Sequence, residues 1–266
     1  MNFLTSRQNP KIKQIRALYN RKHRQEQGLC VVEGIRHVGE AIESGAGIEF
    51  LVYAPDLLTS EYAHSLVLQL EQMYTPVFTT SPEIFAYITE KEHPQGILAI
   101  VHQEYSSLTS LNPENFRWGV AIVSPQDPGN LGTLMRTLDA AGADGLIVLE
   151  NGTDIFHPTA IRASMGTIFW KPVIYTRFSE FRDWKNHYQY QLYGTSARGS
   201  IDFRKAVYER PAILLLGSER EGLGEEYIAL CQSLISLPMH GRASSLNLSV
   251  AAGILLYQMA ASFSSD

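Results

Sequence analysis

The residues whose types and spacing suggest chemistry lie in three loops of the C-terminal half, each following an apolar run. The first reads Ser124-Pro125-Gln126-Asp127-Pro128-Gly129-Asn130-Leu131-Gly132-Thr133-Leu134-Met135-Arg136. Pro and Gly stop the preceding run, and Asn130 is placed to cap the next helix. Leu131, Leu134, Met135 and Leu138 form that helix's buried face. Gly132 lies one turn before Arg136, and helical side chains lean toward the N-terminus. Arg136 therefore lies back over a glycine, with room to reach the loop. The same spacing also describes an ordinary exposed arginine beside a tolerated glycine.

The second loop is Leu216-Gly217-Ser218-Glu219-Arg220-Glu221-Gly222-Leu223-Gly224. Its glycines imply tight backbone and close approach to something. The spacing is not that of a dinucleotide fingerprint. Glu219 and Glu221 would repel a pyrophosphate, so a ligand with a positive or neutral centre suits the loop better. A plain turn is the alternative. The third loop runs from Leu237-Pro238-Met239 through Gly241 to Ser244-Ser245-Leu246-Asn247. Ser244 or Ser245 can cap a final helix that carries Asn247, Ala251 and Ile254 along one stripe, with Val250 beside them. Ala251-Ala252-Gly253 lets another backbone pack closely. An asparagine in the first turn of an apolar helix is costly to bury unless bonded; it is a satisfied core residue or a site residue.

These loops need a scaffold. From Trp118 onward, apolar runs read as strands at Val120 to Ser124, Leu146 to Leu149, Pro172 to Tyr175, Tyr190 to Thr195, Ala212 to Gly217 and Leu234 to Leu237. Helical patterns separate most of them, and the last spans Leu246 to Ser262. Strands alternating with crossover helices predict a mostly parallel sheet, and ligands bind such sheets where strands end in loops. Residues 1–102 form a separate α/β sandwich. Asn9-Pro10 opens a helix there, with strands at Leu29 to Val32, Phe50 to Tyr53, Val77 to Thr79 and Ile97 to Val101. Helices fit Ile35 to Ser44 and Glu61 to Met73. Residues 103–116 are polar and aperiodic and read as a linker, leaving 117–266 as a second domain.

Composition sets the class. Hydrophobic residues make up 45% and charged residues 18%, which suits a soluble globular protein. The apolar runs are strand-length, so no membrane span is expected, and the start has no secretion-signal pattern. Cys30 and Cys231 are too few for a disulfide framework or a metal knuckle; a cytoplasmic protein without a metal is expected. The net charge is −5, yet no acid precedes Glu26, while Arg7, Lys11, Lys13, Arg16, Arg21, Lys22 and Arg24 are all basic. A basic end on an acidic body is a footprint for a phosphate backbone. Lys11, Lys13, Arg21, Lys22 and Arg24 are the expected RNA contacts; a solvated amphipathic helix is the alternative.

Taken together, the three loops resemble the SpoU/TrmH group of the SPOUT methyltransferase superfamily. Asn130, Gly132 and Arg136, behind Asp127-Pro128, match its first motif. Gly217, Glu219, Gly222 and Leu223 match the second. Pro238, Met239, Gly241, Ser245, Leu246 and Asn247 match the third. Ile161-Arg162-Ala163-Ser164-Met165-Gly166 resembles a further family stretch. Asn9-Pro10-Lys11-Ile12-Lys13 and Val32-Glu33-Gly34 resemble the family's L30e-like substrate-binding domain. Arg220 and Trp170 depart from the pattern, and Arg220 could alter the rim of the site.

The resemblance implies a SPOUT domain with a deep C-terminal trefoil knot, which general topology rules disfavour, and a homodimer that completes the site. It implies transfer of a methyl group from S-adenosylmethionine to an RNA ribose 2'-hydroxyl, with ribosomal RNA preferred over transfer RNA. The cofactor would contact Thr195, Gly217, Leu237, Ser245 and Leu246. Arg136 would activate the hydroxyl, as a base or electrostatically, the latter asking for no extreme pKa shift. Asn130 would orient Arg136 or the ribose, Glu219 would hold loop or substrate, and Asn247 would fix the third loop. The rival readings are a catalytically silent RNA-binding paralogue, a base methyltransferase and a nucleotide-dependent dehydrogenase.

Overall fold

The computed structural model describes residues 2–196 and 201–263. The chain divides into two compact units. One comprises Met1–Glu104 with Phe156–Trp170, the other Tyr105–Ile155 with Lys171–Asp266.

Along the chain, the first unit contains β1 (Asn2–Leu4), α1 (Pro10–Ala17), α2 (Arg21–Gln27), β2 (Leu29–Glu33), α3 (Ile35–Glu43), β3 (Ile48–Tyr53), α4 (Glu61–Gln72), β4 (Val77–Thr80), α5 (Pro82–Ile88) and β5 (Ile97–His102). Its sheet has the order β1-β4-β3-β5-β2. β1, β4 and β3 are parallel, and β5 runs antiparallel to both β3 and β2. The Asn9 side chain caps α1 by accepting from the Lys11 amide at 2.9 Å. Ile12, Ile15 and Leu18 then point into a core with Val31, Phe50, Phe85 and Ile100. Glu33, from the Val32-Glu33-Gly34 cue, is buried and accepts a hydrogen bond from Thr89 Oγ1.

The rest of the chain supplies β6 (Trp118–Val123), α6 (Pro128–Ala140), β7 (Leu146–Leu149), α7 (Pro158–Ser164), β8 (Val173–Thr176), α8 (Phe178–His187), β9 (Gln191–Thr195), β10 (Ile201–Asp202), β11 (Ala212–Leu216), α9 (Glu225–Leu230), β12 (Ser233–Ser236) and α10 (Leu248–Phe263). Of these, α7 packs with the first unit, against β2. The remaining strands form a seven-stranded sheet of order β10-β12-β9-β11-β6-β7-β8, parallel at every pairing. Runs such as Ala212–Leu216 are buried at every position, the pattern of a strand covered on both faces.

Two boundaries differ from the sequence reading. The stretch 103–116 is not a free linker, because Leu108, Leu111 and Phe116 are buried in the second unit's core and Leu111 O accepts from Trp184 Nε1 at 2.9 Å. Three apolar anchors in a polar stretch are enough to fix it, although its composition hides them. Residues 156–170, read as part of a continuous catalytic domain, pack instead with the first unit. Several short elements escaped the sequence reading, among them β1 at the sheet edge, α2, α5, α9 and the two-residue β10.

Candidate active site

The site lies at the C-terminal ends of three neighbouring parallel strands, β12, β9 and β11. A cavity of about 670 Å³ opens there. Thr195 ends β9, Gly217 follows β11 and Leu237 follows β12, and all three line it with Ser245, Leu246, Asn130, Glu219 and Asn247. The cavity is of the size that holds a small cofactor. Among the described residues lining it, Glu219 is the one charged side chain. Such a wall attracts a cationic centre and offers nothing to a pyrophosphate.

The loops lock by a directional chain of hydrogen bonds. Asn247 caps α10: its Oδ1 accepts from the Ser249 amide at 2.9 Å, the Ser249 hydroxyl at 2.7 Å and the Val250 amide at 3.4 Å. With its oxygen so used, its Nδ2 donates to Asn130 Oδ1 at 2.9 Å. Asn130 Nδ2 in turn donates to Glu219 Oε1 at 3.3 Å. Glu219 Oε2 also accepts from the Gln126 amide at 3.3 Å. Donors and acceptors alternate until the chain ends on a carboxylate, which can only accept when ionised.

This geometry corrects both expected caps. Asp127, not Asn130, caps α6, accepting from the Asn130 amide at 2.6 Å with Pro128 in the first turn. Asn130 is thereby left free to face Glu219 and Asn247. Asn247, not Ser244 or Ser245, caps α10, and the two serines stand exposed on the cavity wall. Gln126 was missed in the sequence, since its contribution is a backbone amide and carries no side-chain signal. Ser124, also missed, adopts a left-handed φ of 45° where the chain leaves β6.

Gly217 is needed for a reason other than the ligand. A Cβ there would lie 2.2 Å from the Gly222 carbonyl carbon and 2.5 Å from the Leu223 nitrogen. The second loop folds back on itself through paired backbone bonds between Ser218 and Gly222, 3.1 and 3.0 Å long. Gly222 supplies the turn with a φ of 71°. Behind β9, burial pushes the Cys231 thiol up to about 11, which leaves it a poor nucleophile at neutral pH.

Arg136 is not brought to the cavity. It is exposed on α6 and makes no hydrogen bond or ion pair among the described residues, while Gly132 one turn earlier is buried. α10 packs on α6, with Gly253 against Thr137. Opposite its buried residues Ala252, Leu256 and Met259, α10 exposes Val250, Ile254 and Tyr257, with Leu246 just before them.

The expected RNA contacts separate in the first unit. Lys13, Arg21 and Lys22 are exposed, and Lys22 lies 3.8 Å from Glu26. Lys11 points its ammonium over the Phe50 ring at 4.1 Å. Arg24 is a correction: it is 1% exposed and donates to the carbonyls of Leu18 and Tyr19 at 2.9 and 2.8 Å. Its charge closes the end of α1 rather than facing solvent.

Residues 118–257 match the SpoU rRNA Methylase family. The chain belongs to that family. In addition, residues 9–99 of this SpoU-family protein match an MRM3-like substrate binding domain. It is 32% identical over 263 residues to a 23S rRNA (uridine(2479)-2'-O)-methyltransferase of Streptomyces viridochromogenes, covering 96% of this chain and 90% of the relative. It is 28% identical to a 23S rRNA (guanosine(2553)-2'-O)-methyltransferase of Bacillus subtilis, covering 97% and 99%. Among solved structures, an AdoMet-bound rRNA methyltransferase from Sinorhizobium meliloti superposes with a TM-score of 0.88 at 35% identity, covering 97% of each chain.

Proposed function

We propose that this protein methylates ribose 2'-hydroxyls of ribosomal RNA, using S-adenosylmethionine. The observation that carries the reading is the cavity at the ends of β9, β11 and β12, whose one described charged wall residue is the carboxylate of Glu219. The matched relatives are named as 23S rRNA 2'-O-methyltransferases, and a solved neighbour was crystallised with AdoMet.

When bound, S-adenosylmethionine supplies an electrophilic methyl group on a positive sulfur. Thr195, Gly217, Leu237, Ser245 and Leu246 would hold it, and its charge suits the wall that Glu219 provides. Asn130 holds Glu219 by a side-chain hydrogen bond and is itself oriented by the one it accepts from Asn247. Arg136, exposed and unpaired among the described residues, is open to an RNA phosphate, where its planar fork also stabilises negative charge growing on the ribose oxygen. Lys13, Arg21 and Lys22 attract the RNA backbone from the first unit.

The assembly is a homodimer through the apolar stripe of Leu246, Val250, Ile254 and Tyr257, since side chains of this size exposed together mark an interface. The loops after β9, β11 and β12 belong to the segment that carries the deep trefoil knot. Among the described residues no helix is long and apolar enough to cross a membrane, and the reading places the enzyme in the cytoplasm, with its substrate. Calorimetry tests the cofactor assignment: S-adenosylmethionine binds at one site per chain and NAD does not. Binding of NAD in its place would sink the reading.

A further inference from the structure

The first unit carries a second feature that none of the three loops uses. Tyr87, on α5, is 36% exposed and holds two guanidiniums. Arg7 Cζ lies 4.6 Å from its ring centroid and Arg16 Cζ lies 5.3 Å from it. Arg16 also sits 6.0 Å from the Tyr19 ring. α1, which carries Arg16, packs against α5, which carries Tyr87, and Arg7 reaches the same ring from the turn before α1.

The charge on this surface is only partly neutralised. Arg16 is exposed and has no acid partner among the described residues. Arg7 touches Glu83 at 3.5 Å, with both side chains largely in solvent, a contact weak enough to yield to a stronger anion. Lys13, one turn before Arg16, is exposed as well. Long arginines in solvent ordinarily sample many rotamers, and ordering them on a ligand has an entropic cost. Here an aromatic face restrains both before any ligand arrives.

We propose that Arg7 and Arg16, held by Tyr87, form a clamp for the RNA phosphate backbone. Two guanidinium forks near one ring present N–H groups matched to phosphate oxygens. The proposal rests on the RNA reading above and adds Arg7, Arg16 and Tyr87 to the contacts of the first unit with the same substrate.

Binding of in-vitro-transcribed 23S rRNA to the full-length protein tests it, measured by filter retention over a series of salt concentrations. Arg7→Gln with Arg16→Gln weakens binding about tenfold and lowers the log–log salt slope by about 1.5, as expected for two phosphate contacts. Tyr87→Leu keeps both charges and weakens binding about threefold, whereas Tyr87→Phe, which keeps the ring, matches the wild type. S-adenosylmethionine binding, by calorimetry, is unchanged in all of them. Wild-type rRNA affinity and slope in the double variant would overturn the clamp and leave the RNA reading intact. Equal affinity for Tyr87→Leu and wild type would remove the ring from it. If the wild-type protein itself shows no salt-dependent rRNA binding, the RNA reading falls together with the clamp.

Discussion

Asn247 Nδ2 donates to Asn130 Oδ1 at 2.9 Å, joining the cap of α10 to the first turn of α6. Because Asn247 Oδ1 is occupied by the Ser249 and Val250 amides, the direction of this bond is set by helix capping. It dictates in turn that Asn130 shows its Nδ2 to Glu219. A structural device of the last helix therefore orients a carboxylate at the cavity.

Two substitutions at Asn247 separate capping from orientation. Asn247→Ala removes the cap, costs about 1 kcal/mol and lowers Tm by about 2–4 °C. Asn247→Asp keeps a good cap but replaces the Nδ2 donor with an acceptor, so Asn130 turns and sets its oxygen against Glu219. Thermal melts will show Asn247→Asp close to wild type, while methyl transfer falls in both variants. An active Asn247→Asp would mean that the chain of amides does not matter to the reaction.

Arg136→Ala leaves Tm and S-adenosylmethionine affinity unchanged, because the side chain has no partner among the described residues to lose. Methyl transfer to rRNA falls by about 10²–10³. Arg136→Lys recovers little of it, since an ammonium cannot reproduce the planar fork. Retention of wild-type turnover in Arg136→Ala would remove this residue from the mechanism.

The two glycines of the second loop respond differently. Gly217→Ala drives a Cβ into the backbone of Gly222 and Leu223, so the loop opens and calorimetry finds S-adenosylmethionine binding lost. Gly222→Ala meets no atom within 4 Å but must hold a φ of 71°, a cost of about 1–2 kcal/mol. Its binding is weakened and not abolished. Equal loss in the two variants would show that the self-crossing of the loop is not what Gly217 protects.

Placing Asp at both Val250 and Tyr257 puts charge into the exposed stripe of α10. Sedimentation velocity will show a dimer for the wild type and a monomer for the variant. A variant that still sediments as a dimer would place the interface elsewhere.

Much of this was legible in the residues. Six of the sheet's seven strands were readable because strands buried on both faces are continuous apolar runs, as in Ala212–Leu216; the two-residue β10 is too short to show such a run. Asn130, Gly217, Glu219 and Asn247 stood out through the residue types of three loops, whereas Thr195, Leu237, Ser245 and Leu246 were expected only from the family resemblance. The caps were misassigned because several polar residues crowd each helix start, and only the backbone path decides whether Asp127 or Asn130 is half outside the helix. Arg24 was misread because charge was taken for exposure, although a guanidinium can be buried once carbonyls such as those of Leu18 and Tyr19 accept its hydrogen bonds. Tyr87 carried no signal, because its neighbours Arg7 and Arg16 lie some seventy or more residues away in sequence.

The most direct measurement is the chemical position of the transferred methyl group. The wild-type protein is incubated with 23S rRNA and S-adenosylmethionine labelled on its methyl carbon, and the RNA is then hydrolysed in mild alkali. A methylated 2'-oxygen cannot attack the adjacent phosphate, so the label will be recovered in dinucleotides whose linkage has survived. Label recovered in mononucleotides, on a base whose neighbouring linkage has broken, would contradict ribose methylation even with the cofactor assigned correctly.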